Sequence, residues 1–257
     1  MFSVDIPEGI NDTVRNYYIN SDRFEKQYLW MVEKLKNKET FSHLRYGDGE
    51  CICSLSAHHE QGGTNYDGDR YSSPSLNKEI VNALVNPILS DRFIYGMADH
   101  CGTWIGEMKN YGIWNEEIKF KQSELFIWAS IFGKIDMLFN ILNKKKSILV
   151  APKYLHQTNI KFNDYIETPT QNTWVARGKE LVEEIHKKSL SYPKGSIFCF
   201  CVGMSSIPII YHLHKLIEDR HTLIDIGSVI DPYVENGRFR SWMDLMPQKN
   251  KDRWTKQ

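Results

Sequence analysis

Phe41-Ser42-His43-Leu44-Arg45-Tyr46-Gly47-Asp48-Gly49-Glu50 is the stretch on which the reading of this chain turns. Phe41 to Tyr46 carries the apolar alternation of a β-strand, and Gly47 and Gly49 allow a sharp turn where the chain leaves the sheet. Asp48 and Glu50 then stand two residues apart at the strand's carboxyl end, the edge where ligands bind in open α/β sheets. Carboxylates that close repel unless a positive charge lies between them, and a hard divalent cation is the usual solution. Arg45 supplies a second way to balance charge, by pairing with a carboxylate or forking onto a phosphate. The competing reading is a polar turn whose acids face water.

Outward from this stretch, composition sets bounds. The chain has 257 residues, a length ordinary for one α/β domain and enough to bury roughly 70–75% of its unfolded surface. Lys plus Arg and Asp plus Glu number 32 each, so the net charge is zero, which argues against a general nucleic-acid binder. A hydrophobic fraction of 41% describes a globular chain and excludes a disordered one. The five cysteines fall as Cys51-x-Cys53, Cys101 and Cys199-x-Cys201, a spacing that matches neither a zinc knuckle nor a redox pair. Cys199 and Cys201 sit in a strand-like run and read as small hydrophobes on one face. A reducing, cytoplasmic setting is the simplest reading. The N-terminal residues lack the pattern of a signal peptide, and no run reaches the length of a membrane span.

Strand and helix signals then alternate. Val14 to Lys36 reads as one amphipathic helix and Cys51 to Ala57 as a second, near the acidic turn. His58 to Ser73 reads as a substrate-side loop or lid; His58, His59, Asp67 and Asp69 offer a competing metal set. Ser75 to Val85 reads as a helix capped by Ser75, and Arg92 to Met97 as a strand ending in the polar tip Asp99 to Trp104. His100 in that tip is a candidate for phosphate or acceptor contact, with a solvated loop histidine as the alternative. Gln122 to Leu142 reads as an aromatic-rich core helix. Ser147 to Pro152 is a buried parallel strand, with Lys144 to Lys146 a solvated face at its start and Lys153, Tyr154 and His156 at its carboxyl end. Tyr165 to Thr168 reads as a short strand. Trp174 to Lys187 reads as a helix capped by Thr173 with Val175, Leu181, Val182 and Ile185 inward, its entry offering Asn172 and Trp174 to a nucleotide. Ile197 to Val202 is a strand, Gly203 to Ser206 a tight turn with Ser205 at a helix N-terminus, Ile207 to Ile217 a helix, and Thr222 to Ser228 the last strand and its exit. The fold class is therefore α/β: a Rossmann-like, mostly parallel sheet flanked by helices. It is read as one domain over residues 1–257, with an N-terminal helical region at 1–38 and a basic, aromatic tail at 235–257. That tail either grips an anionic acceptor or folds back as a polar terminus.

Arg45-Tyr46-Gly47-Asp48-Gly49-Glu50 resembles the Arg-aromatic-Gly-Asp-Gly-Glu signature of the GT-D glycosyltransferases, a family first catalogued as a domain of unknown function. Gly203-x-Ser205, the following helix, and Ile224-Asp225-Ile226-Gly227 with Asp231 and Tyr233 resemble that family's C-terminal block, about 175 residues further on. The chain departs from it at Ser228, where many relatives carry His, so a role for that His is not carried over. The resemblance implies a GT-D type fold and a metal-dependent transferase, in which Asp48 and Glu50 hold Mn²⁺ or Mg²⁺ and the diphosphate of a nucleotide-sugar, UDP-linked by preference. Beside that pair the candidate donor-site residues are Arg45, Gly47, Gly49, Gly203 and Ser228, with Ser205 added by its place at a helix N-terminus and Lys153 by its place at a strand's carboxyl end, where it, Tyr154 and His156 are candidates for touching a diphosphate or base. Asp231 is the first candidate for the catalytic base and Asp225 the alternative. The implied partners are the sugar nucleotide and a glycan, glycoprotein or lipid-linked acceptor, in polysaccharide or related biosynthesis, with no nucleic acid and no membrane span; a homo-oligomer is left open. Two alternatives stand beside this reading: another nucleotide-using enzyme, such as a nucleotidyltransferase or phosphohydrolase, and a non-catalytic sugar-nucleotide or glycan-binding module.

Overall fold

The computed structural model describes residues 10, 12–59, 63–64, 70–71, 73–217, 219–235, 237–238 and 240–247. Its centre is a seven-stranded sheet. In chain order the strands are β1 (Ser42–Tyr46), the short pair β2 (Gly63–Thr64) and β3 (Arg70–Tyr71), β4 (Phe93–Met97), β5 (Lys121–Gln122), β6 (Ser147–Pro152), β7 (Asp164–Thr168), β8 (Ile197–Phe200) and β9 (Thr222–Asp225). The helices are α1 (Asp12–Ile19), α2 (Ser21–Lys36), α3 (Asp48–His59), α4 (Pro74–Val85), α5 (Gly102–Asn110), α6 (Leu125–Ile131), α7 (Asp136–Lys144), α8 (Thr173–Ser189) and α9 (Ser206–Ile217). The sheet order is β5-β4-β1-β9-β8-β6-β7 and every pairing in it is parallel. β2 and β3 form a separate antiparallel pair.

An all-parallel sheet is covered on both faces, so its strands read as continuous apolar runs. β6 is buried at all six positions and β8 at all four. One face packs α2, α6 and α7 through Phe24, Tyr28, Trp128 and Leu138. The other packs α3, α4, α8 and α9 through Cys53, Ile80, Leu181 and Ile209. Because β1 leads into α3 on one face and β9 into the turn with Val229 and Ile230 on the other, their exits diverge. A crevice opens between adjacent strands where connections leave in opposite directions. Here it lies between β1 and β9.

Several sequence expectations shift at their boundaries. The single helix over Val14 to Lys36 is two, broken at Asn20, whose backbone is non-helical. The helix expected over Gln122 to Leu142 is also two, because Gly133 turns at φ +67 between α6 and α7. α3 begins at Asp48 rather than Cys51, so the signature acids ride on its first turn. The polar tip after β4 continues into α5, a helix the sequence reading did not contain. Ser73, not Ser75, precedes α4, and Asn172, not Thr173, precedes α8; Thr173 instead bonds back to the Pro169 carbonyl at 3.0 Å. Val175, expected inward, is 51% exposed. Lys145 is more than a solvated face: its ammonium donates to the Leu35 and Lys36 carbonyls and closes the end of α2. The expected lid is described in part: α3 runs through His59 and β2 pairs with β3, while Asp67 and Asp69 lie outside the described residues. All five cysteines are buried free thiols, with Cys199 and Cys201 in the same core as expected. Among the described residues no single helix is long and apolar enough to cross a membrane.

Trp128 anchors the α2–α6 face. It is fully buried, with Phe24 at 6.3 Å and Phe132 at 5.1 Å, both rings near parallel to it. Trp128→Ala is expected to cost about 3–5 kcal/mol, read as a lower urea midpoint with an unchanged slope.

Candidate active site

Arg45 is the penultimate residue of β1, next to the crevice. Its Nε lies 3.8 Å from Asp225 Oδ2 at the end of β9, an ion pair too long to be a hydrogen bond. The Nε and Nη1 atoms are buried with no hydrogen-bond partner. The guanidinium rests on Gly227, which has φ +54; a Cβ there would stand 2.8 Å from Arg45 Cζ. Glycine is needed at that position twice over, for its left-handed backbone and for the space. Asp225 is fixed by its own exit turn, accepting the Gly227 N–H at 2.9 Å.

Glu50 folds back and accepts the Gly47 N–H at 2.8 Å, the carboxylate half of a capping box at the start of α3. Burial pushes its carboxyl up to about 7, the Gly47 N–H opposing and the neighbouring Asp225 charge adding to the rise. Burial likewise pushes Asp225 up to about 6, with Arg45 and the Gly227 N–H working against it. The crevice thus holds two desolvated carboxyls and one guanidinium within a few ångströms. Asp48, on the same turn of α3, is half-buried, and its charge reaches His100 after β4. Among the described residues no three His, Cys, Asp or Glu side chains form a cation cage alone. Asp48 and Glu50 are nevertheless hard oxygen donors on one helical turn. Such a pair suits a cation whose remaining ligands come from substrate phosphates.

The other expected donor-site residues spread along the same edge. Gly203, at φ +56, and Lys153 are exposed beyond the ends of β8 and β6. Lys153 stands three strand spacings from β1, roughly 14 Å, beyond direct company with Arg45. Ser228 is half-buried beside Gly227, and Gly49 is buried in α3. The Ser205 hydroxyl is engaged structurally, accepting the Trp174 N–H at 3.0 Å. Trp174 is not offered to a ligand: it is buried, stacked on His212 at 5.7 Å and seated on Gly178. Asp231, the first candidate for the base, is buried and accepts from Arg240 Nε at 3.0 Å. That bond ties down the C-terminal segment, whose Trp242, Met243 and Met246 pack into the core. Residues 248–257 lie outside the described residues.

A second polar group, which sequence reasoning touched only at His100, lies over β4 and β5. Asp99 accepts from Asn16 at 2.7 Å, from Gln122 at 2.5 Å and from Arg23. These bonds hold α1 and the start of α2 over the site. Tyr17 of α1 faces Glu124, which stands 3.9 Å from His100 Nδ1. His100 is raised to about 9 by its contact with Cys101, and the Glu124 and Asp48 charges add to the rise. Glu124 itself is raised by burial. The sequence marks Asp99 and His100 as the polar tip after β4, whereas Glu124 follows a two-residue strand too short to recognise. A cavity of about 500 Å³ lined by Lys38, Arg92, Lys194, Asp91 and Asp219 opens at the opposite edge, before β1 and β4 begin. Chemistry at strand carboxyl ends outweighs volume in locating the site.

No family model and no curated protein matches the chain. Solved structures do. A glycosyltransferase (DUF1792) from Streptococcus sanguinis is 14% identical, with 88% of this chain and 90% of that one covered at a TM-score of 0.58. A structure described as the highly conserved domain of unknown function 1792 with a distinct glycosyltransferase fold is 14% identical, covering 88% of each chain at 0.54. A selenomethionine structure of the same domain is 13% identical, covering 79% and 78% at 0.53. The chain has the fold of these glycosyltransferase-fold structures.

Two outcomes follow from the crevice. Gly227→Ala is expected to destabilise by about 1–3 kcal/mol, since the backbone is strained and the guanidinium must move; a thermal melt checks it. The raised carboxyls make the folded state hold more protons than the unfolded chain between about pH 4 and 7. Stability in chelator therefore falls as pH rises through that window, by on the order of 5 kcal/mol. Urea titrations at pH 5 and pH 8 should show the fall, and Glu50→Gln should shrink it.

Proposed function

We propose that the chain is a metal-dependent glycosyltransferase that takes its sugar from a nucleotide-diphospho-sugar, UDP-linked by preference, and transfers it to a hydroxyl of a glycan, glycoprotein or lipid-linked acceptor. The observation that carries this reading is the Arg45 guanidinium, buried at the crevice with two nitrogens lacking hydrogen-bond partners. A buried donor left unmet costs about 1–3 kcal/mol or more when charged, so the arrangement is built for an anion that completes it. A diphosphate matches in charge and fork geometry. The shared fold with glycosyltransferase structures selects sugar transfer among the anion chemistries that such a crevice admits.

Asp48 and Glu50 are the residues that would hold a divalent cation, Mn²⁺ or Mg²⁺, which supplies neutralisation of the charge growing on the leaving diphosphate. Arg45 binds the same group from the sheet side and is stabilised in place by Asp225. Gly47 and Gly227 keep both walls free of side chains, so phosphate oxygens reach the guanidinium and the start of α3. Gly203, Ser228 and Lys153 line the path toward β6 on which the nucleoside lies. Glu50 and Asp225, both pushed up by burial, lose their mutual repulsion when positive charge enters.

Calorimetry with UDP in Mn²⁺, Mg²⁺ or chelator tests this. Binding is expected only with metal, weakened at least tenfold in Asp48→Asn and in Arg45→Met. No UDP binding by the wild type under any of these conditions would sink the assignment. Metal-independent binding unchanged by Asp48→Asn would leave only a binding module.

A further inference from the structure

The two acids suggested by the sequence as catalytic base are both committed elsewhere. Asp225 has a side-chain exposure of 6% and holds Arg45 and the Gly227 turn. Asp231 is at 3% and holds Arg240. Glu124 differs on each count. It directly follows Gln122 and Ser123 at the carboxyl end of β5, and its carboxylate is 14% exposed. It precedes α6 at the N-cap position yet makes no capping bond, so its carboxylate is not tied to the helix backbone. Its neighbours are the Tyr17 hydroxyl from α1 and the His100 imidazole after β4, 32% exposed, at 3.9 Å. The charges of Arg45 and Asp99 also reach it.

Position matters as much as chemistry. With the diphosphate at Arg45 and the nucleoside running toward β8 and β6, the sugar's free side lies over β4 and β5. Glu124 is two strand spacings from β1, roughly 10 Å, about the reach of a hexose beyond a phosphate. Resting on the glycosyltransferase reading above, we infer that Glu124 is the catalytic base for the acceptor hydroxyl, with Tyr17 and His100 positioning its carboxylate. The acceptor O–H gives its proton to Glu124. Its oxygen forms the bond to the anomeric carbon as the bond from that carbon to the diphosphate oxygen breaks, and the electron pair leaves with the nucleoside diphosphate. A single displacement of this kind inverts the anomeric centre.

The test uses the full chain with Mn²⁺ and a panel of UDP-glucose, UDP-galactose and UDP-N-acetylglucosamine. UDP release with water as acceptor is measured beside transfer to p-nitrophenyl glycosides. Glu124→Gln should lower kcat by about 10²–10⁴-fold while the Kd for UDP stays within twofold, which also certifies its fold. With Mn²⁺ and UDP-sugar saturating, so that the charges of Glu50 and Asp225 are fixed by their occupied site, the acid limb of the kcat profile should disappear in Glu124→Gln and shift in His100→Gln, and Glu124→Asp should recover part of the rate. An active wild type with Glu124→Gln within threefold of it overturns the inference alone, as does a product of retained configuration. An equal loss of UDP binding in Glu124→Gln also overturns it, placing the residue in the donor site or the fold. A wild type that binds no UDP overturns the glycosyltransferase reading, and this inference with it.

Discussion

A guanidinium held out of water between two diverging strands is the constraint on which the site depends. Arg45 cannot lose its charge, so burial has to be met by opposite charge, and among the described residues the acid in ion-pair range is Asp225 at 3.8 Å. That contact is too long to satisfy the nitrogens by hydrogen bonding. Everything nearby yields to keep the space open. Gly227 has no side chain and turns left-handed, Gly47 leaves room before the helix, and Glu50 is drawn back onto a backbone amide. Bulkier side chains at these points would have filled the crevice.

Topology explains why this happens at β1 and β9 rather than elsewhere. Connections from neighbouring strands leave toward opposite faces, α3 to one side and the Val229–Tyr233 turn to the other. Parallel strands put all their carboxyl ends on one edge, so residues remote in sequence meet there. Arg45 and Asp225 are such a pair, as are Tyr17 and Glu124. The α1 helix is held at this edge by Asp99, which gathers Asn16, Arg23 and Gln122, and by Tyr17 packed on Phe24, coupling helix placement to the strand tips.

Much of this was legible in the sequence, for a physical reason in each case. β1, β4, β6, β8 and β9 are apolar runs bounded by turns, and fully buried parallel strands leave that mark. The signature stretch and Gly227 were legible because glycines standing where an apolar run ends mark a strand's exit. Breaks inside apolar helical pattern were not: Asn20 and Gly133 interrupt helices whose flanks keep the same periodicity, so the pattern runs through them. β5 left no signal because two residues define no alternation. α5 was hidden because Asp99 to Thr103 reads as a turn until packing of Met108 makes it a helix. Glu124 stayed invisible for a related reason. Its meaning comes from Tyr17 and His100, neither of which has a fixed sequence offset from it.

The roles of the edge carboxyls separate by what surrounds each one. Glu50 and Asp225 face a guanidinium and one another, with backbone amides in reach, so their environment answers to positive charge arriving from a ligand. Glu124 faces a phenol and an imidazole, groups that orient a carboxylate and tolerate its gaining a proton. Acids along one sheet edge whose surroundings differ in this way are the arrangement the proposal draws on for distinct leaving-group and acceptor-side roles. Arg45 stands between them, and its fixed charge reaches both. On the proposed function, a sugar joined to a diphosphate would span the two sets, its anionic end at Arg45 and its hydroxyl-bearing end toward Glu124.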